Sequence, residues 1–203
     1  MQNSLLLVFD LGKVFVDFDY RKAIKKIAPR CKLSEEELYN LIIKSPLFSD
    51  YESGSITTYE FFVKATELTG FNGTFEEFAR FLTDIFTPIE PMIKVHKECK
   101  ERGFKTYILS NTNELVVEHF KETFPFFNTF DGYIFSFHYR ALKPDERIYR
   151  ALEKDSGYSG DRIVYFDDIP ENVQTGLKLG WRAFVHKDAE STRRILTEIG
   201  VLK

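Results

Sequence analysis

The sequence contains little cysteine: Cys31 and Cys99 are the only two in 203 residues. They lie far apart and belong to no CxxC pair, so neither a disulfide framework nor a thiolate zinc site is indicated. We therefore expect two reduced thiols. Reduced thiols are typical of a cytoplasmic protein, and we predict that location.

Long hydrophobic runs and an excess of one charge are also absent. The apolar run before Asp10 is too short for a secretory signal or a membrane span, so we expect no membrane partner. The 28 Lys and Arg residues against 31 Asp and Glu leave a net charge of −3. A nucleic-acid-binding domain usually carries a basic excess, so we expect no nucleic acid partner.

The chain does contain short, continuous apolar runs, which are typical of strands buried on both faces of a parallel sheet. These runs occupy residues 5–9, 106–109, 133–135, 163–166 and 183–185. Amphipathic segments followed by glycine lie around the later runs, at residues 91–102, 145–156, 171–179 and 189–199. This alternation predicts an α/β fold with a doubly wound parallel sheet.

One interval is too long for a simple crossover between strands. Roughly 95 residues separate the first two apolar runs, whereas a βαβ unit needs about 30. Residues 20–88 show helical periodicity and no obvious strand. We therefore predict an α/β core domain of residues 1–17 and 89–203, with an inserted all-helical cap domain of residues 18–88.

Polar side chains follow three of the predicted strands. Asp10 comes directly after the first run, Ser110 and Asn111 follow the second, and Asp167 and Asp168 follow the fourth. Ligands of open parallel sheets bind beyond the carboxyl ends of the strands. We therefore expect these side chains to meet at one edge of the sheet.

The residue types at this edge suit phosphate chemistry. Clustered carboxylates need a counter-charge, which Mg²⁺ can supply together with a bound phosphate. Lys143 precedes the helix that leads into the fourth run and can reach the same edge. Lys143 and Ser110 could hold phosphate oxygens, leaving Asp10 free to attack phosphorus.

Four segments together resemble the ordered motifs of the haloacid dehalogenase-like hydrolase superfamily. They are Phe9-Asp10-Leu11-Gly12, Leu109-Ser110-Asn111, Lys143-Pro144-Asp145 and Phe166-Asp167-Asp168. The helical insertion after the first motif resembles the cap of subfamily I. The resemblance implies a Rossmann-like core, a hydrolase that acts as a phosphatase, and a magnesium cofactor.

The resemblance also implies roles for individual residues. The catalytic residues would be Asp10 as the nucleophile, Ser110 and Lys143. Phosphate would be bound by Ser110, Asn111 and Lys143. The metal would be bound by Asp10, the backbone carbonyl of Gly12 and Asp168, with Asp167 in support.

Gly12 departs from the pattern of most phosphatases in the family, which carry an acid–base Asp at this position. Asp17 and Asp19 lie nearby and are candidates to replace it. The segment Asp-Leu-Gly-x-Val resembles a bacterial branch that includes a glucose-1-phosphate phosphatase. A sugar 1-phosphate has a better leaving group than a simple alcohol, so it would depend less on a protonating Asp.

The leading hypothesis is a magnesium-dependent phosphomonoesterase that forms an aspartyl-phosphate and acts on a small phosphorylated metabolite, with a sugar phosphate favoured. One alternative is a 2-haloacid dehalogenase, whose halide leaves without protonation, although the Asp167-Asp168 pair would then have no metal to bind. Another is a phosphate-binding protein with little turnover. Specificity is expected to come from cap residues around Tyr20, Phe48 and Tyr51, and the sequence does not predict an oligomeric state.

Overall fold

The computed structural model describes residues 5–203. The prediction that Met1–Ser4 begin no secretory signal lies outside the described residues. Within residues 5–203, no helix is both long enough and apolar enough to cross a membrane. Cys31 and Cys99 are both free, as predicted.

The strands and helices follow one another in the order expected for an interrupted α/β fold. The strands are β1 (Leu6–Phe9), β2 (Val16–Asp17), β3 (Thr87–Pro88), β4 (Lys105–Ser110), β5 (Gly132–Phe135), β6 (Ile163–Asp167) and β7 (Arg182–Val185). The helices are α1 (Tyr20–Ile27), α2 (Glu35–Ile42), α3 (Pro46–Glu52), α4 (Thr58–Thr69), α5 (Phe75–Thr83), α6 (Glu90–Glu101), α7 (Glu114–Thr123), α8 (Ser136–Tyr139), α9 (Glu146–Ser156), α10 (Pro170–Lys178) and α11 (Ala189–Glu198).

In the described chain, the main sheet has five parallel strands in the order β5-β4-β1-β6-β7. This confirms the predicted doubly wound sheet. β1 is central, and the chain passes to β4 on one side and to β6 on the other, so the switch point of the topology lies at the carboxyl end of β1. Phe9 pairs with Ile108 and with Phe166, which places the next residue, Asp10, level with the ends of both neighbouring strands.

Both faces of the sheet are covered, which explains why the strand sequences are continuously apolar. Leu7 and Phe9 of β1 belong to a hydrophobic cluster on one face. Leu6 and Val8 belong to a second cluster on the other face. Since every side chain of β1 is buried, the polar group that follows it marks the point where the strand leaves the core.

Helices α1 to α5 form the predicted helical insertion and share a third hydrophobic cluster. Helices α2, α4 and α5 each begin with a capping box, in which a Ser or Thr and a Glu three residues later satisfy each other's backbone N–H groups. These local signals lie within the residues whose periodicity indicated helices in the sequence. The assignment of residues 18–88 to a separate cap domain stays a prediction.

The base of the insertion differs from the prediction. The sequence indicated no strand in residues 20–88, but β3 pairs with β2 in a short antiparallel ladder, Val16 with Pro88 and Asp17 with Thr87. The pair is only two residues long, which is too short for a periodic pattern to be seen in the sequence. This ladder joins the two chain segments that enter and leave the insertion.

The end of α3 is attached to the core through α8. The Ser136 hydroxyl donates a hydrogen bond of 2.6 Å to the backbone carbonyl of Glu52. Gly54 follows with φ of 72°, and a Cβ atom there would lie 2.2 Å from the carbonyl oxygen of Phe137. Only glycine therefore allows the chain to pass this close to α8.

We expect Gly54→Ala to destabilise the protein more than Gly70→Ala. Both substitutions place a side chain at positive φ, which costs about 1–2 kcal/mol, but a Cβ at Gly70 would meet nothing within 4 Å. The clash at Gly54 should add about 1–3 kcal/mol. Chemical denaturation of the two variants measures the difference, and equal losses would show that the contact between α3 and α8 contributes nothing.

Candidate active site

Six of the seven predicted site residues line one cavity of about 240 Å³ at the carboxyl edge of the sheet, and the seventh, Asp167, contacts Lys143 without lining it. The core contributes Asp10, Gly12, Ser110, Asn111, Lys143 and Asp168. The opposite wall comes from the insertion and its connections, through Phe18, Tyr20, Glu52 and Phe86. The sequence therefore predicted correctly that these strand ends meet, and the structure adds the wall from the insertion.

The Lys143 ammonium is buried between two carboxylates. Its Nζ lies 2.9 Å from Asp10 Oδ1 and 2.6 Å from Asp167 Oδ2, and it donates to the carbonyl of Leu109 at 2.9 Å. Burial alone would lower the pKa of Lys143, but Asp10 and Asp167 hold it above its usual value. Lys143 is therefore a fixed positive charge beside Asp10.

The ionised form of Asp10 is disfavoured at this buried position. Burial raises its pKa, Lys143 lowers it and the charge of Asp167 raises it, and together they bring the pKa from 3.8 to about 7. A carboxylate in this state gains strongly from any additional positive charge in the cavity.

Asp167 is held by hydrogen bonds on both of its oxygens. Oδ2 accepts from Lys143 and from the Tyr165 hydroxyl. Oδ1 accepts from the backbone N–H of Ile169 at 2.8 Å and from the Asn172 amide at 3.0 Å. Although burial raises its pKa, Lys143 and these hydrogen bonds keep the pKa of Asp167 below the usual value. The carboxylate thus fixes the position of Lys143.

Asp168 is placed differently from its neighbour. It is only partly buried and lines the cavity. Burial and the adjacent charge of Asp167 raise its pKa. Asp168 therefore presents a carboxylate to the cavity that, like Asp10, lacks sufficient positive charge around it.

Ser110, the last residue of β4, and Asn111, which follows it, form the cavity wall at the end of this strand. Ser110 is buried, and its hydroxyl makes a long contact of 3.4 Å with the Asn111 carbonyl, which leaves it able to donate to a ligand. The Asn111 amide is engaged by the backbone of Lys143, through bonds of 3.0 Å and 2.7 Å. Asn111 therefore ties the loop after β4 to the Lys143 segment, and a phosphate contact from it would come from its backbone.

The acidic groups have the arrangement that a hard cation requires. In the described part of the chain, ligand oxygens of Asp10, Asp167 and Asp168 lie within 4.8 Å of one another. Oxygen donors of this kind suit Mg²⁺, which binds through one or two carboxylates and keeps sites for water and phosphate. The raised pKa values of Asp10 and Asp168 agree with a site that lacks positive charge.

The nearby acids proposed as replacements for the missing Asp do not line this cavity. Asp17 accepts a 2.6 Å bond from Lys13 and is exposed. Asp19 caps α1 by accepting from the backbone of Arg21 at 2.9 Å. Besides Asp10 and Asp168, the cavity is lined by Glu52, at the end of α3, and the sequence analysis missed this residue.

The comparison with known families agrees with this geometry. The sequence model of haloacid dehalogenase-like hydrolases matches residues 6–180. The chain belongs to this family.

Similar members of the haloacid dehalogenase-like family cover almost the whole chain. D-ribitol-5-phosphate phosphatase from Bacteroides thetaiotaomicron is 25% identical over 199 residues, which are 95% of this chain and 97% of that protein. A HAD-like hydrolase structure from Porphyromonas gingivalis matches with a TM-score of 0.79 and 25% identity, over 96% of this chain and 97% of that one. A HAD family enzyme from B. thetaiotaomicron, solved with magnesium and inorganic phosphate, has the same fold, with a TM-score of 0.79 and 23% identity over 91% and 94% of the two chains.

These matches confirm the family, the fold and the hydrolase class that the four motifs indicated. The roles of individual side chains stay predictions that rest on the geometry above. Of the three insertion residues expected to set specificity, Tyr20 lines the cavity. Phe48 packs behind Tyr20, with ring centroids 5.1 Å apart, and Tyr51 stacks on Phe61 at 4.4 Å.

We expect Asp10→Asn to stabilise the magnesium-free protein at pH 8 by about 1 kcal/mol or more, which corresponds to a rise in Tm of about 2–4 °C. The neutral amide avoids the burial cost of the Asp10 charge. The pKa of Asp10 rises from 3.8 to about 7 on folding. The wild type should therefore lose stability relative to the variant as the pH rises through this interval, and the two should converge below it.

Thermal unfolding across this pH range measures the effect. The exposed Asp161 provides a control, because Asp161→Asn should leave the pH dependence of the wild type unchanged. A variant Asp10→Asn that is less stable than the wild type at pH 8 would contradict the electrostatic description of the site.

Proposed function

We propose that this hydrolase is a magnesium-dependent phosphomonoesterase that works through an aspartyl-phosphate on Asp10. The observation that carries the proposal is the position of the Asp10 carboxylate. It lies in the cavity at the carboxyl end of β1, 2.9 Å from a lysine that is itself held by Asp167. A carboxylate held in this way can attack phosphorus while its neighbour stabilises the charge that develops.

The other residues of the core would bind and orient the phosphoryl group. Lys143 and the Ser110 hydroxyl would contact its oxygens, together with the backbone of Asn111. Asp167 would keep Lys143 in place, since all four of its hydrogen bonds serve this anchoring. Attack by Asp10 forms the bond to phosphorus as the bond to the leaving oxygen breaks, and water later releases inorganic phosphate.

The proposed magnesium site consists of Asp10, the Gly12 carbonyl and Asp168, with Asp167 in support. A bound magnesium ion would offset the negative charge shared by these carboxylates and the phosphate. The acidic cluster supports this proposal, and so does the similar B. thetaiotaomicron enzyme that was solved with magnesium and inorganic phosphate.

We propose a small sugar phosphate or alditol phosphate as the substrate. The cavity of about 240 Å³ suits a small metabolite, and its outer wall combines the aromatic side chains of Phe18, Tyr20 and Phe86 with the polar Glu52. The similar D-ribitol-5-phosphate phosphatase acts on a substrate of this class. The helices of residues 18–88 would serve as the cap that selects the substrate and excludes water.

We expect the wild type to hydrolyse p-nitrophenyl phosphate with magnesium and to lose this activity in EDTA. Asp10→Asn should reduce kcat by at least about 10³-fold, because an amide cannot form the covalent intermediate. Asp161→Asn, on the exposed surface, should retain wild-type kcat. A steady-state assay that follows release of p-nitrophenol gives the values.

Two outcomes would favour the alternatives. Release of chloride from 2-chloropropionate in EDTA, without phosphate hydrolysis, would support a 2-haloacid dehalogenase. Calorimetric binding of inorganic phosphate and magnesium, without turnover of any phosphate ester, would support a phosphate-binding protein. Undiminished hydrolysis by Asp10→Asn would contradict Asp10 as the nucleophile.

A further inference from the structure

Position 12 carries glycine where most phosphatases of the family carry an acid, and an aromatic ring fills the space beside it. A Cβ atom at Gly12 would lie 2.9 Å from Cε1 of Phe18, so the aromatic ring occupies the volume beside this backbone. Phe18 lines the cavity together with Gly12. An acid that assists the leaving group must therefore come from another part of the cavity wall.

Glu52 is the carboxylate on the wall that faces the core. It is the last residue of α3 and lines the same cavity as Asp10 and Lys143. Within residues 5–203, no side chain or backbone group hydrogen-bonds to its carboxylate. Asp10 attacks from the floor of the cavity, and a leaving group departs in line, on the side away from the nucleophile. The insertion supplies the lining residues that do not belong to the core, and Glu52 is near enough to Asp10 and Lys143 for their charges to affect its pKa, so we take that side to be the wall from the insertion.

The backbone of Glu52 is held by the core. The Ser136 hydroxyl accepts from the backbone N–H of Thr112 at 3.0 Å and donates to the Glu52 carbonyl at 2.6 Å. Thr112 belongs to the loop after β4, which directly follows Ser110 at the end of that strand. One hydroxyl thus fixes Glu52 relative to the loop proposed to bind phosphate.

The surroundings of Glu52 favour its protonated form. Burial and, to a smaller extent, the charge of Asp10 raise the pKa of Glu52 and Lys143 lowers it, which leaves this pKa at about 7. Tyr20 and Tyr51 also face Glu52, and burial raises the pKa of both phenols, so they stay neutral. A carboxyl group that titrates near neutral pH can both give and accept a proton during turnover.

We propose that Glu52 is the general acid and base of this enzyme, in place of the residue missing at Gly12. In the first step, Asp10 bonds to phosphorus, the ester bond breaks, and the Glu52 proton passes to the leaving oxygen to give an alcohol. In the second step, the Glu52 carboxylate takes a proton from water, the water oxygen bonds to phosphorus, and the bond between phosphorus and Asp10 breaks. Inorganic phosphate leaves and Glu52 is protonated again. The assignment rests on the proposed phosphatase function.

The test compares two leaving groups in Glu52→Gln, which keeps the shape of the side chain. D-ribitol 5-phosphate releases an alkoxide that needs a proton, whereas p-nitrophenyl phosphate releases a stable phenolate. We expect kcat/KM to fall by about 10²–10⁴-fold for the first substrate and by less than about 10-fold for the second. Loss of the base should also slow the second step, so p-nitrophenol should appear in a burst followed by slow turnover.

Two further variants serve as controls. Glu67→Gln makes the same change at an exposed position of the insertion and should match the wild type. Glu52→Asp keeps the acid on a shorter side chain and should restore part of the lost activity on D-ribitol 5-phosphate. Thermal unfolding of each variant shows whether it is folded under the assay conditions.

Results that contradict the role of Glu52 can be told apart from a failure of the proposed phosphatase function. Equal losses on both substrates, or no burst in Glu52→Gln, would overturn the assignment. So would a raised KM for D-ribitol 5-phosphate with unchanged kcat, because Glu52 would then only bind the substrate. If the wild type hydrolyses neither ester with magnesium, the proposed function itself fails and this inference fails with it.

Discussion

The buried ammonium of Lys143 is the interaction on which the rest of the site depends. An ammonium at this depth is tolerated only because two carboxylates contact it, Asp10 at 2.9 Å and Asp167 at 2.6 Å. The pKa of Asp167 is lowered beside the lysine, so removing this carboxylate should cost about 3–5 kcal/mol, as is typical of breaking a buried ion pair. The parallel order of β1 and β6 supplies both partners, since adjacent strands end at the same level. The fold thus fixes the positions of the lysine and its carboxylates before any substrate binds.

Negative charge exceeds positive charge around this pair. Asp168 and Glu52 add to Asp10 and Asp167, while Lys143 is the buried cation among them. Burial and mutual repulsion raise the pKa of Asp10 and of Glu52 to about 7. A phosphate ester would add more negative charge to this cavity. Binding it therefore requires a cation or extra protons, and the proposed magnesium site and a protonated Glu52 meet this requirement together.

The sequence located the core site because topology determined it. A strand buried on both faces must end in a polar group. Asp10 directly follows β1, and Ser110 and Asp167 are the last residues of β4 and β6. The insertion offered no comparable rule. Proline usually marks a turn in a sequence, but Pro46 begins α3 in the first helical position, where proline is well tolerated. A Glu at the end of an unrecognised short helix then carried no signal, because only tertiary contacts bring it to the cavity.

The proposed acid, Glu52, lies on the insertion and not two residues after the nucleophile, where this chain has Gly12. An acid beside the nucleophile would be present whatever the insertion does. Glu52 lines the cavity with Asp10 only while α3 is packed against the core. The Ser136 hydroxyl bonds to both Thr112 and Glu52, so it connects the end of α3 to the loop after β4. Tyr20, from the same insertion, lines the cavity beside Glu52. The insertion thus carries both the proposed proton donor and the surface that would contact the substrate. A poorly fitting substrate that displaces α3 would lose its proton donor as well as its contacts.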